Sequence, residues 1–320
     1  MSSKRAHTAE LTVPVAAPAG VVYGLLADAV HWPVLLPSYV HVERMDHDGS
    51  QELLRVWDLA DGRVRPLLVR RWLRPQSRTV ESVRTDPKVP GAATRGSWSV
   101  TPADGGGSLL TLRRERPAQA GPEPELATAQ QAVEAEVRTR LTEVKAAAER
   151  WELLDELLLA FEDSVRVSGP AELVYDFLYR VRDWADLLPH VERTDVTEES
   201  PGVQVADLET CGWDGGGTIT SRAVRLCFPS AGRIVHKDVV PPELLLGHTG
   251  EWSLVPDETG VTVVCSHAVM LRQEAVEPLL GAGATLADAR HEVRAGLGQA
   301  SSEALALAKW YAESALRQVG

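Results

Sequence analysis

The chain has 320 residues, 44% of them hydrophobic, which is enough for two ordinary cores and large for one. A formal net charge of −12 opposes long-range attraction to nucleic acid or anionic lipid, so neither is an expected partner. Cys211, Cys227 and Cys265 are odd in number and lack CxxC spacing, and the chain has no apolar signal core and no run near the ~18 residues a membrane span needs, so the expectation is a reduced, cytoplasmic protein outside the membrane.

In chain order, Leu11, Val13 and Val15 alternate with polar residues, which predicts a strand, and Pro18 then suits the start of a short helix over Ala19 to Ala29. Several strands follow, divided by Asp61-Gly62 and Gly105-Gly106-Gly107, where glycine supplies backbone angles that other residues resist. Their spacing of roughly 8 to 12 residues predicts an antiparallel meander. The Pro- and Ala-rich segment 116–125 is expected as a loop near the mouth of the domain. Beyond it Val133, Val137, Leu141, Val144, Ala148 and Trp151 recur in steps of three and four, the stripe of a long amphipathic helix.

The series then repeats. Residues 13–37 and 165–189 agree at eleven positions without a gap, including Pro18 and Pro170, Tyr23 and Tyr175, Trp32 and Trp184, and a closing Leu-Leu-Pro. Further on, Gly96, Trp98, Ser99 and Pro102 are answered by Gly250, Trp252, Ser253 and Pro256. The second copy predicts a strand at Val165 and Val167, a short helix over Ala171 to Arg182, a turn at Gly215-Gly216-Gly217, and a last helix with its stripe at Leu286, Ala289, Val293, Leu297, Ala300, Ala304, Leu307 and Tyr311. A period this long exceeds that of solenoid repeats, so the repeating unit is a whole domain, expected over residues 1–155 and again over 156–320. No flexible linker stands in 151–164, which predicts two units held in a fixed orientation. The fold class is α+β: two tandem domains, each a curved antiparallel sheet wrapped around a long C-terminal helix. Such a sheet cannot fill its concave face with its own strands, so an interior cavity is expected.

The order strand, proline, short helix, HWPVLLPSY at 31–39, GRV at 62–64, a run ending in Arg71, SRTV at 77–80, an isolated Trp98 and a long terminal helix resembles the polyketide aromatase/cyclases, helix-grip proteins of the START-like superfamily. The resemblance covers both halves and is similar to the di-domain subclass of bacterial type II polyketide synthases. It implies regiospecific first-ring closure of C7–C12 type, with dehydration and aromatisation, of a poly-β-ketone carried by an acyl carrier protein, alongside other polyketide synthase components and without a cofactor.

An aldol closure needs an enolate at one carbon and a polarised carbonyl at another, held in a bent geometry with water excluded. The resemblance matches Arg71 to a family arginine that anchors carbonyl oxygens and enolates, a role suited to a permanently charged fork. Strand alternation sets Arg71 on one face with Val69 and Leu73, against a solvated arginine as the alternative. The resemblance also matches Trp32, Tyr39 and Trp98 to aromatic positions lining the cavity, with the tyrosine hydroxyl able to shuttle a proton; packing in the core is the plainer reading of both tryptophans. Tyr39 has no repeat partner, since Val191 stands there, which favours a functional first half. In the second copy Arg225 falls where the repeat puts Arg71, Trp184 and Trp252 repeat the tryptophans, and His267 in VVCSHAVM is a candidate acid or base, with a half-buried structural histidine as the alternative. Arg84 completes the substrate-binding candidates, and the basic run from Arg63 to Arg84 is either a solvated face or a docking surface for an acidic carrier protein.

Other signals are discounted. Gly281-x-Gly283 lacks the third glycine of a dinucleotide site and marks the start of the last helix. His41, Asp46, His47 and Asp48 read as a hydrophilic turn, and no metal is expected. The alternative to an enzyme is a non-catalytic lipid or polyketide carrier with a nearly all-apolar cavity, and a third reading makes one unit, the second, a purely structural or partner-binding module.

Overall fold

The computed structural model describes residues 6–317 apart from 88, 90–92, 119–122 and 213–216. The chain divides into two compact units, Met1–Leu154 and Asp155–Gly320. The expected turn residues Gly215 and Gly216, and 119–122 of the expected mouth loop, lie outside the described residues.

The first unit runs β1 (Ala6–Val15), α1 (Ala19–Ala27), a one-turn helix α2 (Trp32–Leu35), then β2 (Tyr39–His47), β3 (Gln51–Ala60), β4 (Arg63–Arg74), β5 (Thr79–Thr85), β6 (Ala93–Pro102), β7 (Ser108–Pro117) and the long helix α3 (Glu123–Ala148). All seven strands form one antiparallel sheet in the order β1-β7-β6-β5-β4-β3-β2, a meander that β1 completes by pairing with β7, Val13 opposite Leu110. Asp61 and Gly62 both take positive φ, as the two-residue turn between β3 and β4 requires. Val133, Val137, Leu141, Val144 and Ala148 of α3 are buried against the concave face, on the predicted stripe. Trp151 departs from the stripe: it lies past the end of α3 in a 3₁₀ turn and stays 38% exposed. The first short helix also ends at Ala27, earlier than expected, because residues 29–31 tighten into a 3₁₀ turn.

The second unit repeats this plan. After the short α4 (Leu154–Leu157) come β8 (Leu158–Val167), α5 (Ala171–Tyr179), α6 (Trp184–Leu187), β9 (Val191–Ser200), β10 (Val203–Cys211), β11 (Thr218–Phe228), β12 (Arg233–Val240), β13 (Leu245–Asp257), β14 (Gly260–Leu271), the short α7 (Val276–Leu280) and the long α8 (Leu286–Arg317). The sheet order is β8-β14-β13-β12-β11-β10-β9, the same arrangement. Along β14 the inner face reads Val261, Val263, Cys265, His267 and Val269, all buried. Gly281 and Gly283 take positive φ ahead of α8, and Thr285 and Asp288 cap that helix with reciprocal bonds.

One clamp fixes each long helix against its sheet. Lys145 donates to the Pro14 carbonyl and to Glu149, which accepts from the Ala16 amide. Lys309 donates to the Arg166 carbonyl and to Glu313, which accepts from the Ser168 amide. The two helices therefore sit in the same register, and residues facing the cup can be compared position by position.

Candidate functional site

The clamp sets Glu136 and Arg140 of α3 where α8 has Ala300 and Ala304, and Val137 where α8 has Ser301. The consequence is a filled cup in one unit and an open one in the other. The inner cavity of the first unit measures about 20 Å³, bounded by Trp32, Tyr39, Val69, Arg71, Ser82, Arg84, Trp98 and Arg114. The second encloses about 620 Å³ between Trp184, Ile219, Arg225, His236, Asp238, His248, Trp252, His267, Leu297, Ala300, Ser301 and Ala304. Only the latter falls in the 300–1,000 Å³ range of pockets for drug-sized ligands.

Ion pairs fill the first cup. Glu136 reaches Arg84, Arg114 (3.6 Å) and Arg116 (3.0 Å), and Arg140 reaches Asp58 and Glu143 (3.6 Å) while lying 4.4 Å over the Tyr39 ring. Burial would push the Glu136 carboxyl up, yet Arg84 and Arg114 beside it hold it down at about 2. Burial, with Arg84 alongside, lowers the Arg114 guanidinium to about 10. A 430 Å³ pocket near the start of α3, lined by His7, Arg65, Arg116 and Leu126 among others, adjoins this cavity and shares Asp58, Leu67 and Arg84 with it.

Arg71 faces inward with Val69, as strand alternation predicts, and is 2% exposed. Its donors are committed: Nε to Glu52 at 2.7 Å, Nη1 to the Leu26 carbonyl at 2.8 Å, and Nη2 to the Ala27 carbonyl at 2.7 Å and to Glu52. It thus satisfies the orphan carbonyls at the end of α1 and stacks 4.8 Å over Trp32. Arg225 does the same in the second unit, donating to Leu178 O at 2.6 Å and Tyr179 O at 3.3 Å, with neutral Gln204 (2.6 Å) in place of Glu52 and Trp184 at 5.6 Å. The expectation of Arg71 as a free anchor for an enolate meets a guanidinium whose three nitrogens all donate to protein acceptors.

The other candidates divide likewise. Trp32 and Tyr39 meet at 4.6 Å with their rings tilted by 41°, and Trp32 donates to Leu25 O, so both are packed into the first core with Trp98. Trp184 and Trp252 meet edge-on at 6.3 Å and wall the open cup. Arg84 is tied to Glu136.

His267 does lie on the cup floor, and it is not alone. Register places Gly250 between His236 and His267 on neighbouring strands. His248 Nε2 lies 3.0 Å from His267 Nδ1, His248 Nδ1 lies 2.8 Å from Asp238, and His267 Nε2 lies 2.7 Å from Ser301 Oγ. Burial, then the neighbouring His248 and Arg294, depress His267 to about 3, and burial with both other histidines holds His236 well below its ordinary value. Sequence reading missed His236, Asp238, His248 and Ser301. Strand alternation from Trp252 back to Gly250 and His248 was the available signal. These three histidines are also the described residues whose ring nitrogens come within 4.8 Å of one another, the only such set able to offer ligands to an ion among the described residues. The bond between His248 and His267, however, joins two nitrogens that an ion would need.

A family model described as polyketide cyclase/dehydrase and lipid transport matches residues 6–149 and again residues 159–303. The chain belongs to this family. It is 36% identical over 315 residues, 95% of this chain and 96% of the relative, to the actinorhodin polyketide synthase bifunctional cyclase/dehydratase of Streptomyces coelicolor. Identity is 31% over 318 residues, 99% and 97% of the two chains, with the granaticin counterpart of Streptomyces violaceoruber. Among solved structures, the di-domain ARO/CYC BexL of the BE-7585A biosynthetic pathway matches with a TM-score of 0.83 and 35% identity over 96% of this chain and 98% of its own. StfQ of the steffimycin pathway matches with a TM-score of 0.80 and 31% identity over 96% and 99%. The cyclase/dehydratase thus has the di-domain aromatase/cyclase architecture that the motifs implied, with a helix-grip fold in each unit. No helix among the described residues is long and apolar enough to cross a membrane.

Proposed function

We propose that the second unit's cup is the chamber in which a poly-β-ketone, delivered as a thioester by an acyl carrier protein, is bent for first-ring closure of C7–C12 type and then dehydrated and aromatised. The observation that carries this reading is the 620 Å³ cavity reaching in to Trp184, Arg225 and Trp252. The equivalent inner space of the first unit, between Trp32, Arg71 and Trp98, is about 20 Å³, and its 430 Å³ pocket lies beyond, near the start of α3. Confinement brings the reacting carbons together and excludes water, which can supply several kcal/mol of the barrier. Trp184 and Trp252 offer flat walls for a flat product, Arg225 holds the floor, and His267 belongs to the polar end.

On this reading the first unit is a scaffold whose interior ion pairs replaced a cavity, with Arg71, Trp32, Tyr39, Trp98 and Arg84 in structural roles. The outer face of β4 presents Arg70 and Arg74, both exposed, a surface suited to the acidic carrier protein. Other polyketide synthase components in the cytoplasm complete the partners, and the chemistry needs no cofactor.

A carrier role predicts a nearly all-apolar cavity, and the inward Arg225, Asp238, His236, His248 and His267 argue against it. The test is product profiling of a reconstituted minimal polyketide synthase with wild type and with Ala304→Phe, which fills the cup from α8. Wild type is expected to divert shunt products to the aromatised ring, and Ala304→Phe to lose at least tenfold of that yield. Full activity in a folded Ala304→Phe protein would move the chemistry out of this cup.

A further inference from the structure

Four side chains from three adjacent strands and the long helix form one unbroken chain across the cup floor. Asp238 on β12 meets His248 on β13 at 2.8 Å, His248 meets His267 on β14 at 3.0 Å, and His267 meets Ser301 on α8 at 2.7 Å. Ser301 Oγ also lies 2.8 Å from the Leu297 carbonyl, to which it can only donate. All four are less than 9% exposed, and all four border the cavity.

Hydrogen positions follow from satisfying these bonds, and two complete patterns exist. In the first, Ser301 donates to His267 Nε2, His267 Nδ1–H donates to His248 Nε2, and His248 Nδ1–H donates to the Asp238 carboxylate. In the second, Ser301 donates to Leu297 O, and every bond along the chain reverses. His267 Nε2–H then donates to Ser301, His248 Nε2–H donates to His267, and one further proton must sit between His248 and Asp238. The two patterns differ by one proton, so moving between them takes up or releases one.

We propose that Asp238, His248, His267 and Ser301 form an acid–base relay that dehydrates a cyclised β-hydroxy ketone in the second cup. The proposal rests on the reading of that cup as the reaction chamber. Ser301 Oγ takes the proton α to the carbonyl as its own hydrogen passes to His267 Nε2, 2.7 Å away; the C–H electron pair becomes the C=C bond, and the β C–O bond breaks with its pair. The proton passes from the relay to the departing oxygen, and water leaves. Nothing is oxidised or reduced.

The surroundings suit this role. Desolvation keeps His267 neutral, so its lone pair is available at physiological pH. Cys265, 3.3 Å from the same nitrogen, stays a thiol because burial pushes it up to about 12. His236 stands edge-on to His248 at 5.2 Å with Arg225 beyond it. Phe161 stacks on His267 at 4.8 Å, and Arg294, paired with Asp163, lies 4.3 Å from the Phe161 ring. The first unit has Arg84, Thr94, Arg114 and Val137 at the corresponding places, which offer no such chain.

The test uses the full chain and a β-hydroxycyclohexanone bearing an N-acetylcysteamine thioester, with enone formation as the readout. His267→Gln is expected to lower kcat at least 100-fold with KM within about threefold, and Asp238→Asn to lower kcat and displace the pH profile. Nitrogen-15 spectra of the wild type at neutral pH are expected to show His248 and His267 both protonated on Nδ1. Unchanged kcat in the variants, opposed tautomers in the wild type, or activity lost to a chelator and restored by zinc would each overturn the relay. A wild type that eliminates no water from this probe overturns the chamber reading as well.

Discussion

Arg71 and Arg225 sit at equivalent places and bind equivalent helix ends, yet their partners differ in charge. Glu52 is itself buried at 1% exposure and takes its charge balance from Arg71 and from Arg44 at 2.9 Å, whereas Gln204 is neutral. Removing one member of a buried pair strands the other, which costs about 3–5 kcal/mol; losing hydrogen bonds to neutral partners costs about 1–3 kcal/mol. Arg71→Ala is therefore expected to destabilise its unit more than Arg225→Ala does, read from guanidinium unfolding followed by peptide-level hydrogen exchange. Arg71→Ala together with Glu52→Gln should recover part of the loss. Equal losses for the two arginines would mean that the helix-end carbonyls, not the buried carboxylate, set the energy. Strand alternation set Arg71 on the face with Val69, which is the inner one, but neither alternation nor a motif match carries information about what the guanidinium touches once inside.

At the scale of elements, the two cups differ at inward positions of the strands and along one face of the long helix. The replacement of Glu136 and Arg140 by Ala300 and Ala304 exchanges a filled cup for an open one without disturbing the Lys–Glu clamp or the buried stripe. Glu136→Gln is expected to cost the first unit about 3 kcal/mol, because Arg84, Arg114 and Arg116 lose the carboxylate that balances them. Chemical denaturation checks this, and a loss below about 0.5 kcal/mol would show that solvent already screens the cluster. The strands, both long helices and the repeat were legible because period-two and period-3.6 patterns depend only on local sequence. Which cup stayed open was not legible, since it depends on which residues of α3 and α8 face which strands. Tyr39 pointed to the first unit as a unique residue; its neighbour Arg140 shows why uniqueness there accompanies filling. The repeated Gly96 and Gly250 carried a usable hint. A Cβ at Gly96 would meet Arg114 Nη1 at 2.3 Å, and one at Gly250 would meet His236 Cε1 at 2.5 Å, so each glycine marks a long polar side chain folded across the inner face.

For the whole molecule, the two interiors respond to acid with different thresholds. His236 and His267 are held below their ordinary value by burial, so from about pH 6.5 downward the unfolded second unit binds protons that the folded one refuses. A depressed histidine is neutral in the native state, and the stability it contributes is fully present above the unfolded pKa. It then falls by about 1.4 kcal/mol per pH unit per group until the folded pKa is reached, about 3 for His267. In the first unit Glu136 is held at about 2 against an unfolded 4.5, so its contribution is lost only below about pH 4.5. Between pH 6 and 5 only the second unit should weaken. Hydrogen exchange resolved by unit at pH 7, 6 and 5 is expected to show peptides of β12–β14 and α8 losing protection while those of β4–β7 and α3 keep theirs. His236→Gln, which removes one of the two resisting groups, should roughly halve the slope. Simultaneous loss in both units, or loss in the first unit before the second, would mean that the histidines accept protons in place and that acid acts through carboxylates common to both domains.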